Sequence, residues 1–177
     1  ASSTFISWIR YSREVGVSLE DPPEIDFEGQ DLQGGKIYQI DLVDRSMSEA
    51  IRFARRWAPR YVLVGEIRSA EAAVEMLAMA KSGPAVITTI HASEPVSAIT
   101  QLIQFAAGRM SENDARQTVS SALSGVMHVD SRATASAAQY LSVGDHGDHL
   151  IRAAINDGKY TSLNEELSRQ MILRKKL

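Results

Sequence analysis

Three short apolar runs in this 177-residue chain end on residues able to handle a charged ligand. VGVSL is followed by Glu20, Asp21 and Glu24. YVLV is followed by Glu66 and Arg68, and AVITTI contains or precedes Thr88, Thr89 and His91. Carboxylates are hard oxygen donors for a divalent cation and can orient or accept a proton from water, while a guanidinium complements phosphate. An acidic strand end by itself is an ordinary helix cap or solvated corner. Convergence of three such ends on one sheet edge would instead suit a metal-bound phosphate, because parallel α/β sheets bind ligands at the carboxyl ends of their strands.

Positioning these residues requires strands that alternate with helices. SSTFISWIRYSRE carries Phe5, Ile6, Trp8 and Ile9 at helical spacing, and VGVSL after it has a buried-strand pattern. Pro22 and Pro23 exclude helix interior and sheet ladder alike, so EDPPE is a loop. GKIYQIDLVD reads as a strand through Ile37, Tyr38, Ile40 and Leu42, and SMSEAIRFARRW as a helix with an N-cap serine. Tyr61 to Val64 is a strand, SAEAAVEMLAMAKSG a helix closed by Gly83, and AVITTI a further strand. This order predicts an α/β fold with a largely parallel sheet. From Pro95 onward the pattern is mainly helical, with a short β element expected from Val126 to Val129 paired with Ala133 to Val143. The expected division is a core over residues 1–108 and a mainly helical part over 109–177.

Composition narrows the class. With 44% hydrophobic residues the chain can bury a sizeable core, and a net charge of −3 with pI near 5.8 supplies no global basic field for direct nucleic-acid binding. Any anion site must be local. There is no cysteine, so disulfides and thiolate metal sites are excluded, and no apolar run approaches the roughly 18 residues of a membrane span. Work at a membrane would then go through a partner. DHGDH, from Asp145 to His149, invites a metal reading, but acidic residues at a helix start are more simply explained by the helix dipole.

In order and spacing, LEDPPE, RRWAPRYVLVGEIRSAEAA and SGPAVITTIHASEPVSAI resemble the Asp box, Walker B segment and His box of the secretion ATPases. That family powers type II secretion, type IV pili, type IV secretion and conjugation. QYLSVGDHGDHLIRAAINDGK is similar to its helical tail, so the resemblance covers nearly the whole chain. It implies a RecA-like P-loop ATPase core with ATP and Mg2+ as cofactors. It implies a homo-hexamer in the cytoplasm at the inner face of the bacterial inner membrane, working with secretion or pilus platform proteins. By the same resemblance Glu66 helps hold Mg2+ and its waters, Glu24 orients or activates the attacking water with Glu20 beside it, and His91 reports the γ-phosphate state. Arg52 and Arg56 match arginines that complement phosphate or a neighbouring subunit, Arg68 completes Gly-Glu-x-Arg, and Ser2 stands where a Mg2+-binding hydroxyl would be.

The chain also departs from that pattern. No G-x-x-x-x-G-K-[ST] run occurs in it, and Ala1 stands where the P-loop lysine would be. Two readings follow: a fragment of an ATP-hydrolysing motor whose P-loop lies upstream, inactive alone, or a catalytically silent ring component of the same fold. Pro84 replaces the first His-box histidine, and Ser69 replaces an aspartate and is expected to cap the helix after it.

Overall fold

Strand and helix alternate through the first half of the chain as the apolar periodicity predicts. A computed structural model describes residues 1–27, 30–129, 138–144 and 148–174. Much of the strand expected from Ala133 and most of the DHGDH segment lie outside the described residues. Contacts divide the chain into two compact units, Ala1–Ile90 and His91–Leu177.

The first unit runs α1 (Ser2–Ser12), β1 (Val15–Glu20), β2 (Lys36–Asp41), α2 (Met47–Arg55), β3 (Tyr61–Glu66), α3 (Ala70–Lys81) and β4 (Ala85–Thr89). Its four strands are all parallel, in the order β2-β1-β3-β4. Strand β1, in the interior of the sheet, is buried from Gly16 to Glu20, as a strand covered on both faces must be. On one face Phe5 and Ile9 of α1 form a core with Leu63 and Phe27, flanked by Ile25, Ile37 and Ile87. The helix sits so close to β1 that a Cβ on Gly16 would stand 2.6 Å from both Ile9 Cδ1 and Phe5 Cζ. Phe27 and Ile25 in that core pin the loop after β1 to the sheet. On the other side α2 and α3 pack on each other, burying Ile51, Ala54, Ala73 and Met76.

Side-chain caps set where these helices begin. Ser46 and Glu49 form a reciprocal capping box at α2, and Ser69 Oγ accepts from Ala72 N at 3.2 Å to start α3. Gly83, at φ 126°, supplies the left-handed residue that takes the chain from α3 into β4.

The second unit holds α4 (Pro95–Ala107), α5 (Glu112–Ala122), β5 (Gly125–His128), β6 (Gln139–Ser142), α6 (Asp148–Asp157) and α7 (Tyr160–Arg174). Helix α4 packs on α5, which places it in this unit rather than with the first 108 residues. Strands β5 and β6 form an antiparallel pair, with His128 half-buried on β5. Gln170 of α7 holds the end of β6: its Oε1 accepts from Ser142 N at 2.8 Å and its Nε2 donates to Ser142 O at 3.1 Å. Among the described residues no helix is long and apolar enough to cross a membrane.

Candidate functional site

Parallel strands of one sheet must end on the same side, so Glu20, Glu66 and Thr89, the last residues of β1, β3 and β4, share one edge. A cavity of about 360 Å³ opens there. Glu20 lines it from the end of β1, Asp21 and Glu24 from the loop that follows, Glu66 and Arg68 from the end of β3 and just beyond it, Thr89 from β4, and Ala1 and Ser2 from the start of α1. Of the residues singled out from the sequence, Ser2, Glu20, Glu24, Glu66 and Arg68 are thus brought together within the first unit. A larger groove of about 1060 Å³ lies at the amino ends of the strands, beside Val15, Arg60 and Pro84. It contains none of these carboxylates.

The three glutamates sit in different surroundings. Glu20 is 4% exposed and accepts hydrogen bonds from the Ser18 hydroxyl and from Gln39 Nε2, the latter at 3.3 Å. A buried carboxylate needs such donors to offset lost hydration. Glu24 is exposed at the cavity rim. Glu66 is half-buried and accepts from Arg68, with Nε at 2.7 Å and Nη2 at 2.5 Å from Oε2. This bond and the charge of Glu66 raise the Arg68 pKa above the usual arginine value, with a smaller contribution from Asp21. Arg68 therefore stays a cation beside Glu66.

The edge is reinforced where β3 meets β4. The register shifts between Val64 and Glu66, a bulge of the kind that re-aims a side chain at a strand end. Thr89 Oγ1 donates to Gly65 O at 2.6 Å, and Ile67 N to Thr89 O at 3.1 Å, which closes the irregularity.

At the start of α1 the N-cap Ala1 has no side-chain hydrogen bond to give, and the first amides of a helix lack intrahelical partners. Ala1 and Ser2 line the cavity, and a helix start favours an anion.

Mg2+ fits the donor set. Its candidate ligands, the Glu66 carboxylate and the Ser2 hydroxyl, are hard oxygens on the same cavity. Among the described residues no three His, Asp or Glu side chains converge to hold an ion by themselves.

The other residues singled out lie elsewhere. Arg52 Nε is 3.2 Å from Glu75 Oε1, so it bridges α2 to α3, and Arg56 is the exposed C-cap of α2. Neither lines the cavity. His91 is the first residue of the second unit. The sequence reading passed over Ser18 and Gln39. The signal for Gln39 was its place between Ile37 and Asp41 in strand alternation, a polar residue on a face whose neighbour Ile37 packs into the core.

The family model described as "Type II/IV secretion system protein" matches residues 3–166. The chain belongs to that family. It is 32% identical over 101 residues to the protein transport protein HofB homolog of Haemophilus influenzae, covering 57% of this chain and 21% of that protein. It is 33% identical over 94 residues to the type IV pilus assembly ATPase PilB of Pseudomonas aeruginosa, covering 51% and 15%. Among solved structures, the pilus retraction motor PilT with bound ADP superposes with a TM-score of 0.75 at 22% identity, over 93% of this chain and 49% of that one. The ATPase DotB of Legionella pneumophila gives 0.77 at 20% identity with the same coverage. The chain therefore spans less than half the length of each of these relatives and has the fold of a secretion ATPase domain.

Proposed function

We propose that this chain is the catalytic part of an ATP-hydrolysing motor that drives secretion, pilus assembly or retraction, or conjugation. One observation carries the reading: Glu20, Glu24, Glu66 and Arg68 line one cavity together with Ser2 at the start of α1. The family membership and the ADP bound to PilT support a nucleotide as ligand.

The proposed division of labour follows from the surroundings of each group. The phosphates lie against the start of α1, and Ser2 and Glu66 hold Mg2+ and its waters. Mg2+ when bound supplies charge neutralisation at the phosphates. Arg68 fixes the rotamer of Glu66. Glu24, at the rim and open to solvent, orients the attacking water, and buried Glu20 behind it shapes the site's charge. Phosphoryl transfer asks little more of a protein than such positioning. On the resemblance alone, His91 reports the γ-phosphate state, Arg52 and Arg56 complement phosphate or a neighbouring subunit, and the motor is a hexamer on the cytoplasmic side of a membrane-bound platform.

The reading places a phosphate-cradling P-loop directly upstream of Ala1. Each amide or lysine contact so supplied is a charge-assisted hydrogen bond worth about 1.5 to 3 kcal/mol. Calorimetry with ATP and Mg2+ should therefore find weak or no binding to residues 1–177 and clear binding once the upstream residues are included. Steady-state hydrolysis by the longer protein completes the test. A longer protein that assembles but neither binds nor hydrolyses ATP overturns the motor and leaves a silent ring component.

A further inference from the structure

Gln39 makes the contacts that tie the two acidic parts of the site together. It stands on β2, an edge strand of the sheet, in register opposite Ser18 of β1. Its Nε2 donates to Glu20 Oε1 at 3.3 Å and to the carbonyl of Ile25 at 2.7 Å, while its Oε1 accepts from the amide of Phe27 at 3.4 Å. One half-buried amide therefore grips the carboxylate at the end of β1 and both sides of the loop segment that begins at Glu24.

Three features make this more than general packing. A primary amide supplies donors and an acceptor together, and this junction uses both. Glu20 is buried and has one further donor shown to it, the hydroxyl of Ser18 two residues before it on its own strand, so Gln39 is its link to a different strand. Ile25 and Phe27 already anchor the loop through their side chains in the core with Phe5, Ile9 and Leu63. Apolar packing sets depth but not backbone direction, and the Gln39 bonds on Ile25 O and Phe27 N fix the direction in which the chain leaves Glu24.

We infer that Gln39 is a positioning residue: it holds the Glu24 loop in register with Glu20, and so sets where a water bound by Glu24 stands relative to the cavity. The catalytic half of this statement rests on the proposed role of Glu24, whereas the loop-holding half does not.

The two halves are tested by separate measurements on Gln39→Met, which keeps the length and removes the hydrogen bonds. Hydrogen–deuterium exchange on residues 1–177 needs no nucleotide. Exchange at Ile25 to Phe27 should accelerate about 5-fold or more, the loss expected for one backbone-directed bond, while β3 exchanges as before. Ser18→Ala, which removes a donor to Glu20 but none to the loop, should leave that exchange unchanged. In the longer protein carrying the P-loop, kcat should fall by about 10-fold or more with KM and nucleotide affinity within about 3-fold, because the lost interaction orients the reacting water rather than binding ATP. Should Gln39→Met fail to fold, Gln39→Asn, one methylene too short to span the three contacts, is expected to show the same two effects. Unchanged loop exchange overturns the clamp whatever the kinetics. A loosened loop with unchanged kcat overturns the positioning role. Inactivity of the unsubstituted longer protein overturns the motor reading and leaves the clamp to stand on exchange alone.

Discussion

Gly65 lies against Glu20: a Cβ on Gly65 would stand 3.3 Å from Glu20 Cγ and 3.4 Å from Glu20 Cα and from Leu19 O. Strands β3 and β1 are thus in van der Waals contact at the point where each delivers its carboxylate. Two of the three neighbours are backbone, and the third belongs to a side chain held by Ser18 and Gln39, so nothing there yields readily. Gly65→Ala is expected to cost about 1 to 3 kcal/mol as overpacking does. Urea denaturation of residues 1–177 measures it, and a change under about 0.5 kcal/mol would mean that the two strand ends have slack.

Glu24 and Glu66 should fail in different ways. Glu24→Gln keeps the shape and removes a group placed to orient water, so turnover in the P-loop-containing protein should drop on the order of 100-fold while nucleotide binding survives. Glu66→Gln should weaken the Mg2+ dependence of binding together with turnover, and it also removes the anionic partner of Arg68. Affinity with and without Mg2+, followed by steady-state hydrolysis, separates them. Parental turnover in Glu24→Gln would transfer the water-orienting role to Glu20.

Much of this site was legible because parallel topology turns a list of strand ends into a place. Once VGVSL, YVLV and AVITTI are strands separated by helices, Glu20, Glu66 and Thr89 have no freedom to end on different edges. Gln39 was not legible for a related reason. GKIYQIDLVD mixes apolar residues at Ile37, Tyr38, Ile40 and Leu42, a pattern that does not name one inward face, and only pairing of Ser18 with Gln39 settles which side the amide takes. Arg52 illustrates the opposite case: the partner it meets, Glu75, comes from a different helix and leaves no trace in local periodicity. Helix α4 packs on α5, which follows it, a pairing that the periodicity of α4 alone does not name.

The capping box at α2 gives a test of local stability away from the cavity. Ser46 Oγ accepts from Glu49 N at 3.3 Å, and Glu49 Oε2 accepts from Ser46 N at 3.1 Å. The Ser46 hydroxyl also donates to Glu49 Oε2 at 2.8 Å, and this bond, followed by the one from the Ser46 amide, holds the Glu49 carboxyl below its ordinary pKa. Ser46→Ala should cost about 0.5 to 2 kcal/mol in thermal or urea denaturation, and Ser46→Gly less, as caps generally behave. Equal loss from both substitutions would point to packing of the serine rather than its capping bond.

Glu166 links acid sensitivity to the second unit. Its two oxygens accept from Arg169 Nε at 2.6 Å and Nη2 at 2.7 Å, and Oε1 also accepts from Gln170 Nε2 at 3.0 Å, the same amide that donates to Ser142 O on β6. The bond from Arg169 is the largest influence holding the Glu166 carboxyl below its ordinary value; Gln170 adds to it and partial burial opposes it. A carboxyl depressed in the folded state is protonated more readily when unfolded, so its stabilisation is complete above the ordinary glutamate value and disappears as pH falls through the lower folded one. The Arg169 side chain is 54% exposed, so solvent screening keeps the effect to about 1 kcal/mol or less. Urea midpoints of Glu166→Gln and the unsubstituted chain should differ at neutral pH, and the gap should shrink as pH drops below about 4.3. A gap that stays constant across that range would show that Glu166 stabilises α7 through its shape and hydrogen bonds rather than its charge.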